Sequence, residues 1–318
     1  MLAVHLMAEI EQETGYKAPL SALFQTGTIE AMAAQLEGES GRKAAFDPIV
    51  ALKPSGSGTP FFCIHPAGGN VLGFIHLARC FPADHPFYAI QAKGIDGTEE
   101  PYQTIEGMAS YYLKAMKKTQ PEGPYHIGGY SLGGHVAFEL ARQLVENGDV
   151  VNHLVILDVT GGPIEDEGWN TKIDPTEFLV YLITQVELHY ETPLDLSEDD
   201  LRNFSKEEQF DVLLNRMKQR KLLPEAATRE QGLGLLKVYE ANMRAMFQYR
   251  HSKFDGDLTV MATKELLSKC QDDASLGWGD YVSHSVHVQE LPGDHFSLLK
   301  PPHTLVLAET IGSMLIAD

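Results

Sequence analysis

A serine between glycines stands near the middle of the chain, in the segment YHIGGYSLGG at residues 125–134. A short apolar run precedes it and an amphipathic segment follows it, so we expect a strand to give way to a helix at Ser131. Gly129 and Gly133 would supply the clearance that so sharp a turn requires. The hydroxyl would then lie above a sheet at the positive end of a helix, where an oxyanion can be stabilised. The segment therefore predicts nucleophilic chemistry at Ser131.

The GxSxG pattern by itself is weak evidence, because it also arises by chance in chains of this length. A glycine-rich turn between a strand and a helix, with an idle serine, is the alternative interpretation. A phosphate-binding loop is disfavoured, because the segment has neither the Walker lysine nor the spacing of the dinucleotide fingerprint. The rest of the chain must supply the partners that serine chemistry needs.

A serine nucleophile needs a base that a carboxylate orients, and both are expected on loops that follow strands. Asp158 directly follows one apolar run, and Glu265 follows a later run as the second candidate acid. His295 lies in the segment LPGDHF after the last predicted strand and is the candidate base. The order Ser131, Asp158, His295 is the order of α/β-hydrolases. An ordinary loop or capping aspartate is the alternative interpretation of Asp158.

Two histidines close to the serine are expected to be structural. His135 is too near to Ser131 along the predicted helix to reach its hydroxyl well. His126 lies within the preceding strand. Neither is therefore a candidate base.

An oxyanion site is predicted at the glycine-rich turn HPAGGN, residues 65–70, which follows the apolar run 61–64. A compact turn there can direct backbone N–H groups at a developing negative charge. The N–H groups of Ala67 and Leu132 are the predicted pair. Pro66 removes one competing donor and stiffens the turn. A plain turn between a strand and a helix is the alternative.

The composition excludes several classes of partner. The chain has 318 residues and a formal net charge of −19 at pH 7. This acidic balance disfavours nucleic acid and anionic membrane surfaces, since both need a basic face. No apolar run approaches the length that spans a bilayer, and the first residues lack the layout of a signal peptide. We therefore expect a cytoplasmic protein with neither nucleic acid nor membrane among its partners.

The cysteines and histidines do not predict a metal site. Cys63, Cys80 and Cys270 are isolated in the sequence and are expected to be buried or partly buried thiols. The 13 histidines include no HExxH motif, and His284 with His287 alone is a poor ligand set. We expect neither a metal nor a bound cofactor.

The first part of the chain is separate in character from the rest. Residues 1–37 predict two amphipathic helices, the second with a threonine cap. Helices of this length cannot enclose a core alone, so they either dock on the larger domain or remain from a truncated bundle. Residues 38–47 are polar and glycine-bearing and predict a linker. The main domain is then residues 48–318.

The main domain alternates short apolar runs with helical segments. Strands that are buried on both faces and alternate with helices predict an α/β fold with a mostly parallel sheet flanked by helices. Active-site loops then belong at the carboxyl ends of the strands. The predicted strands are residues 49–52, 61–64, 87–90, 126–127, 154–157, 258–261 and 286–288.

One interval, from about residue 163 to residue 254, breaks this alternation. It contains no convincing strand, while residues 176–189, 207–220 and 231–250 predict helices. An all-helical insertion between two strands, near the carboxyl edge of the sheet, is the layout of a lid. A subdomain with no role at the site is the alternative.

Four segments together resemble the type I thioesterase that ends nonribosomal peptide and polyketide synthetases, over roughly residues 48–314. The resemblance implies an α/β-hydrolase fold in which the helical interval is a lid that shapes a chamber for the acyl chain. It also implies that Asp158, rather than Glu265, is the acid. The segments are FCIHPAGG at 62–69, GYSLGG at 129–134, ILD at 156–158 and PGDHF at 292–296.

The amino-terminal piece, through LAVHLM at 2–7 and PLSALF at 19–24, resembles the second half of a carrier protein. In that family the phosphopantetheine serine stands just before the helix that this chain enters at Met1, so that serine is absent here. Ser21 lies in a different carrier turn and is not expected to be modified. The resemblance implies that the substrate arrives on the phosphopantetheine of a partner carrier protein, with upstream synthetase modules as partners.

The function that the resemblance implies is chain release in two halves. Ser131 takes the acyl or peptidyl chain with His295 as base and Asp158 as its orienting acid, while Ala67 and Leu132 bind the oxyanion. Water, or an internal amine or hydroxyl, then resolves the ester by hydrolysis or macrocyclisation, and the sequence does not decide between them. A type II editing thioesterase that removes misloaded acyl groups and a non-catalytic docking domain are the two alternatives.

Overall fold

The computed structural model describes residues 46–162, 174–223 and 229–316, with Glu225 and a few isolated positions before residue 46. The carrier-like helices predicted in residues 1–37, and the linker at 38–47, lie almost wholly outside the described residues. The described chain separates into two compact units. The larger contains the sheet, and the smaller contains Gly94–Glu100 and the described part of residues 174–240.

A seven-stranded sheet forms the centre of the larger unit. Its strands lie in the order β1-β3-β2-β4-β5-β6-β7. The edge strand β1 is antiparallel to β3, and every other neighbouring pair is parallel. This confirms the predicted mostly parallel sheet. The strands are β1 Ile49–Lys53, β2 Phe61–Ile64, β3 Phe87–Ile90, β4 Tyr125–Tyr130, β5 Val151–Leu157, β6 Leu258–Thr263 and β7 Val286–Leu291.

The helices fall between the strands as the periodicity predicts. Around the sheet, α2 packs on α3 and α1 packs on α9, so the sheet is flanked by helices as an α/β-hydrolase fold requires. The helices are α1 Ile75–Cys80, α2 Ile105–Thr119, α3 Leu132–Glu146, α4 Pro175–Tyr190, α5 Glu198–Leu201, α6 Lys206–Gln219, α7 Arg229–Gln248, α8 Lys264–Lys269 and α9 His303–Ile316.

Polar and apolar residues do not alternate along the central strands, because these strands are buried on both faces. Every residue of β2 and of β4 is buried, because helices cover both faces of a parallel sheet. Side chains of the two strands, with those of α2 and α3, form one continuous apolar core. The sheet is therefore a rigid base from which loops extend at the carboxyl edge.

The cysteines depart from expectation at one position. Cys63 on β2 is buried and Cys270 is partly buried, as expected. Cys80 is exposed, because it is the last residue of α1 and the buried face of that helix is formed by Leu77 and Ala78.

The smaller unit is all-helical in its described part and has a core of its own. Residues of α4 and α6, with Leu194, Leu201 and Leu236, form that core. Gln209 joins two of its helices by a buried hydrogen bond of 2.9 Å from its Nε2 to Thr176 Oγ1. The unit includes α7 only as far as Glu240, while the rest of α7 clusters with the sheet.

Two neutral histidines, the buried His135 and the partly buried His251, lie together beside Trp278. His135 of α3 has Nδ1 3.0 Å from Nε2 of His251. The His135 ring packs against Trp278, and the His251 ring packs against Phe138 and Trp278. Burial disfavours the imidazolium and lowers the pKa of His135 to about 3 and that of His251 to about 4. Both rings are uncharged in the folded protein at neutral pH.

These histidines predict acid-sensitive stability. Their ordinary pKa is 6.5, so below that pH the unfolded chain binds protons that the folded chain does not. The contribution of these histidines to the free energy of unfolding should therefore be complete above pH 6.5 and should decline as the pH is lowered toward 4. Each such histidine contributes a slope of at most about 1.4 kcal/mol per pH unit.

Urea unfolding at a series of pH values tests this expectation, with His135→Gln as the variant. The slope of the free energy of unfolding against pH should decrease by the equivalent of about one proton taken up on unfolding, because the variant has one fewer histidine to titrate. An unchanged slope would show that His135 does not contribute to acid sensitivity.

Candidate active site

The backbone at Ser131 is held in an unusual conformation between β4 and α3, with φ 57° and ψ −126°. A Cβ on Gly129 would lie 1.9 Å from the carbonyl oxygen of Gly133, which no side chain can tolerate. A Cβ on Gly133 would lie 2.4 Å from the carbonyl oxygen of Ile64. Glycine at these two positions is thus what allows the chain to turn and present the serine hydroxyl.

Three side chains that the sequence predicted to act together lie within hydrogen-bond distance at the carboxyl edge of the sheet. His295 Nε2 is 3.2 Å from Ser131 Oγ. His295 Nδ1 is 2.8 Å from Asp158 Oδ2. Ser131 follows β4, Asp158 follows β5, and His295 lies on the loop between β7 and α9. The imidazole therefore bridges a hydroxyl and a carboxylate.

Asp158 is almost fully buried, with 4% of its surface exposed, yet it remains a carboxylate. Burial alone would raise its pKa, but the hydrogen bond with His295 and a 2.8 Å bond from the Thr263 N–H to Oδ1 outweigh burial. The net result is a pKa below the ordinary value. Both carboxylate oxygens have a donor, so the carboxylate is held in one orientation towards the imidazole.

Tyr130, the residue between Gly129 and Ser131, supports the histidine loop. Its hydroxyl donates a hydrogen bond to the backbone carbonyl of His295, and the two rings stack with centroids 5.0 Å apart. Burial raises the pKa of Tyr130, so its hydroxyl stays protonated and able to donate. Sequence reasoning missed this contact, because the variable position before the serine of GxSxG gives no signal of what its side chain faces.

The glycine-rich turn lies after β2, where the sequence predicted an oxyanion site. It closes with a 2.8 Å hydrogen bond from Gly69 N–H to Pro66 carbonyl oxygen, and Gly69 has a positive φ of 76°. Within the described residues, the N–H groups of Ala67 and Leu132 have no acceptor. Leu132 is the first residue of α3, and the first N–H groups of a helix have no partner within it.

His65 anchors this turn from the inside. It is fully buried, with Nδ1 2.8 Å from the Pro66 carbonyl oxygen and Nε2 2.7 Å from the Tyr112 hydroxyl. Burial lowers its pKa to about 4, with the Pro66 hydrogen bond opposing that shift. A neutral imidazole donates from one nitrogen and accepts at the other, so a single tautomer satisfies both contacts.

The remaining candidates lie elsewhere. Glu265, on α8, is exposed and forms an ion pair of 2.7 Å with Lys269. His126 is buried in β4 and stacks on His153. Across the ranges that the structure describes, no three His, Cys, Asp or Glu side chains group as metal ligands. In those same ranges, no helix has both the length and the hydropathy needed to cross a bilayer.

Residues 59–315 match the family of thioesterase domains. Among characterised proteins, the nonribosomal peptide synthetase btyA of Aspergillus terreus is 35% identical over 215 residues, which is 67% of this chain. The matched part is only 23% of that synthetase.

Solved structures of a nonribosomal peptide synthetase and of a thioesterase domain are also similar to this chain. The four-domain nonribosomal peptide synthetase holo-AB3403, bound to AMP and glycine, matches 98% of this chain and 23% of its own, with 28% identity and a TM-score of 0.77. The thioesterase domain of Vlm2, bound with a dodecadepsipeptide, matches 84% of this chain and 96% of its own, with 25% identity and a TM-score of 0.61.

The tight turn predicts that Gly129→Ala cannot be accommodated. The added Cβ would overlap a backbone oxygen, which cannot move as a side chain can, so we expect a loss of at least about 3 kcal/mol in the free energy of unfolding. Gly73→Ala is the matched control, because its Cβ would meet only a side-chain carbon of Leu299 at 3.5 Å. Denaturant unfolding of both variants measures the difference, and equal stabilities would contradict the described turn.

Proposed function

The chain belongs to the family of thioesterase domains, and from that premise we propose that it releases an acyl or peptidyl chain from the phosphopantetheine thioester of a carrier protein. The observation that carries the proposal is the imidazole of His295, placed 3.2 Å from the Ser131 hydroxyl and 2.8 Å from the Asp158 carboxylate. The similarity to nonribosomal peptide synthetases supports upstream synthetase modules as partners.

In the first half of the reaction, Ser131 becomes acylated. Nε2 of His295 takes the hydroxyl proton as Oγ attacks the thioester carbonyl carbon. The oxygen of the tetrahedral intermediate accepts hydrogen bonds from the N–H groups of Ala67 and Leu132. The C–S bond then breaks, the proton on His295 passes to the sulfur, and the carrier leaves with a free thiol.

In the second half, the ester on Ser131 is resolved. His295 removes a proton from water, or from an amine or hydroxyl of the acyl chain itself, and that atom attacks the ester carbonyl. The C–O bond to Ser131 breaks and the proton returns to Oγ. The product is a linear acid when water attacks and a ring when the chain attacks itself. No resident cofactor takes part in either half.

Asp158 makes this proton transfer efficient. Its lowered pKa keeps it ionised through the neutral range, so it accepts the Nδ1–H of His295 and leaves Nε2 as the acceptor that faces Ser131. It also stabilises the imidazolium that forms in each half.

The helices between β5 and β6, in the interval 163–254, are proposed as the lid that shapes the chamber for the acyl chain.

Ser131→Ala should abolish formation of the acyl-enzyme, because within the described residues no other hydroxyl is hydrogen-bonded to a ring nitrogen of His295. Intact-protein mass spectrometry after incubation with a long acyl-pantetheine thioester measures the adduct, and a fluorophosphonate probe measures reactivity of the serine directly. An adduct on the variant at the wild-type rate would refute Ser131 as nucleophile. Absence of probe labelling on the wild type would favour a non-catalytic docking domain.

His295→Ala and Asp158→Asn test the other two members. Each should lower kcat/KM by about 10³-fold or more, since triad members act as a unit. Asp158→Asn preserves shape and removes the charge, so its loss of activity should come without a large loss of stability. Near wild-type turnover by either variant would remove that residue from the mechanism.

The mass of the product identifies the nucleophile that attacks the ester on Ser131. The wild type is offered an acyl-pantetheine thioester that bears a terminal amine, and the products are weighed, because the acid and the ring differ by one water. A ring identifies a cyclising enzyme and an acid a hydrolysing one. A strong preference for acetyl over long chains would instead indicate an editing thioesterase.

A further inference from the structure

The carbonyl group of Ala67, in the predicted oxyanion turn, is bound by a side chain from a distant part of the chain. Nδ2 of Asn242, on α7, donates a hydrogen bond of 2.8 Å to the Ala67 carbonyl oxygen. The two residues are 175 positions apart in the sequence, and both belong to the sheet-containing unit. The contact is therefore a property of the tertiary fold and not of the local turn.

Asn242 is an unusual residue for its place. It is 1% exposed, and its neighbours on the helix, Ala241, Met243 and Ala245, are buried and apolar. Asparagine is a weaker helix former than leucine or methionine, and burying an amide is costly unless it is hydrogen-bonded. An apolar side chain would suit the helix better, so the amide is explained by the bond that it makes.

Two other carbonyl groups of the turn are held from within the turn or by the segment that follows β3. The Pro66 oxygen accepts from the Gly69 N–H and from the His65 ring, and the Gly69 oxygen accepts from the Ala92 N–H at 2.8 Å. For the Ala67 oxygen, Asn242 is the one donor found in the described part of the chain. Removing the amide would release the tip of the turn while its two ends stay attached.

We propose that Asn242 is a positioning residue for the oxyanion site. By holding the Ala67 carbonyl it fixes the orientation of that residue's backbone, and with it the direction in which the Ala67 N–H points. Asn242 does not touch the reacting atoms and acts only through the turn. The inference rests on the proposed function, in which the Ala67 N–H binds the oxyanion.

The size of the expected effect follows from what an oxyanion donor contributes. Loss of one donor lowers kcat by about 10²- to 10³-fold, and catalytic groups need placement within about 0.5 Å. A donor that is misdirected but still present should cost less, about 10- to 100-fold in kcat. KM should change little, because the oxyanion forms only after the substrate has bound.

The test compares Asn242→Leu and Asn242→Asp with wild type in steady-state turnover of a long acyl-pantetheine thioester, and the acylation rate is measured separately in single-turnover experiments. Asn242→Leu removes the donor, so kcat should fall about 10- to 100-fold with KM within about threefold of wild type. The carboxylate of Asn242→Asp cannot donate when ionised but can when protonated. Its acylation rate, divided by that of wild type at the same pH, should therefore rise as the pH falls.

Leu144→Ala is the matched control. Leu144 is fully buried near the carboxyl-terminal end of α3, so its truncation destabilises the same unit without changing the turn. Thermal unfolding confirms that every variant is folded at the assay temperature. An equal loss of kcat in Leu144→Ala and Asn242→Leu would assign Asn242 a merely structural role and overturn the proposal, as would wild-type kcat in Asn242→Leu.

A second readout separates this inference from the proposed function. A wild type that turns over no thioester contradicts the proposed function. The rate at which a fluorophosphonate labels Ser131 then decides the inference, because the phosphoryl oxygen needs the same N–H donors. Labelling that is 10- to 100-fold slower in Asn242→Leu supports the role of Asn242, and an unchanged rate overturns it.

Discussion

The conformation of one residue, Ser131, is the constraint on which the site depends. A positive φ at a non-glycine residue costs free energy, and it persists only where the surroundings over-determine it. Here Gly129 lies so close to Gly133, and Gly133 so close to the end of β2, that neither position has room for a Cβ. The second contact brings the start of α3 against the carbonyl oxygens of Ile64 and His65, where the glycine-rich turn begins.

The polar groups of the site illustrate how burial and hydrogen bonding compete. Asp158 is desolvated, which favours its neutral form, yet donors on both oxygens keep it ionised. His65 is desolvated without any charged partner, and it stays neutral. The difference follows from what each group faces: a charge survives burial only where hydrogen bonds replace the water it has lost. The carboxylate and the neutral imidazole are thus both products of their surroundings.

The helix that follows Ser131, α3, is fixed by a buried ionic group. The Glu139 carboxylate, 1% exposed, accepts hydrogen bonds from Arg142, Gln143 and the Tyr249 hydroxyl at 2.8 to 2.9 Å. Tyr249 follows α7, so this group ties α3 to the same segment that contributes Asn242. Two parts of the site, Ser131 and the glycine-rich turn, are therefore both supported by one stretch of chain near the end of α7.

The sequence alone determined the α/β class, the strand positions and the three residues that would meet, because periodicity and strand-end position are local properties of the chain. It offered Asp158 as the first candidate acid and Glu265 as the second, and a family resemblance favoured Asp158. Only the tertiary structure showed which carboxylate reaches His295 and which lies beside Lys269. Tyr130 and Asn242 gave no sequence signal, because their roles depend on contacts more than 160 positions away. Such contacts exist only once the strands are ordered and the helices packed.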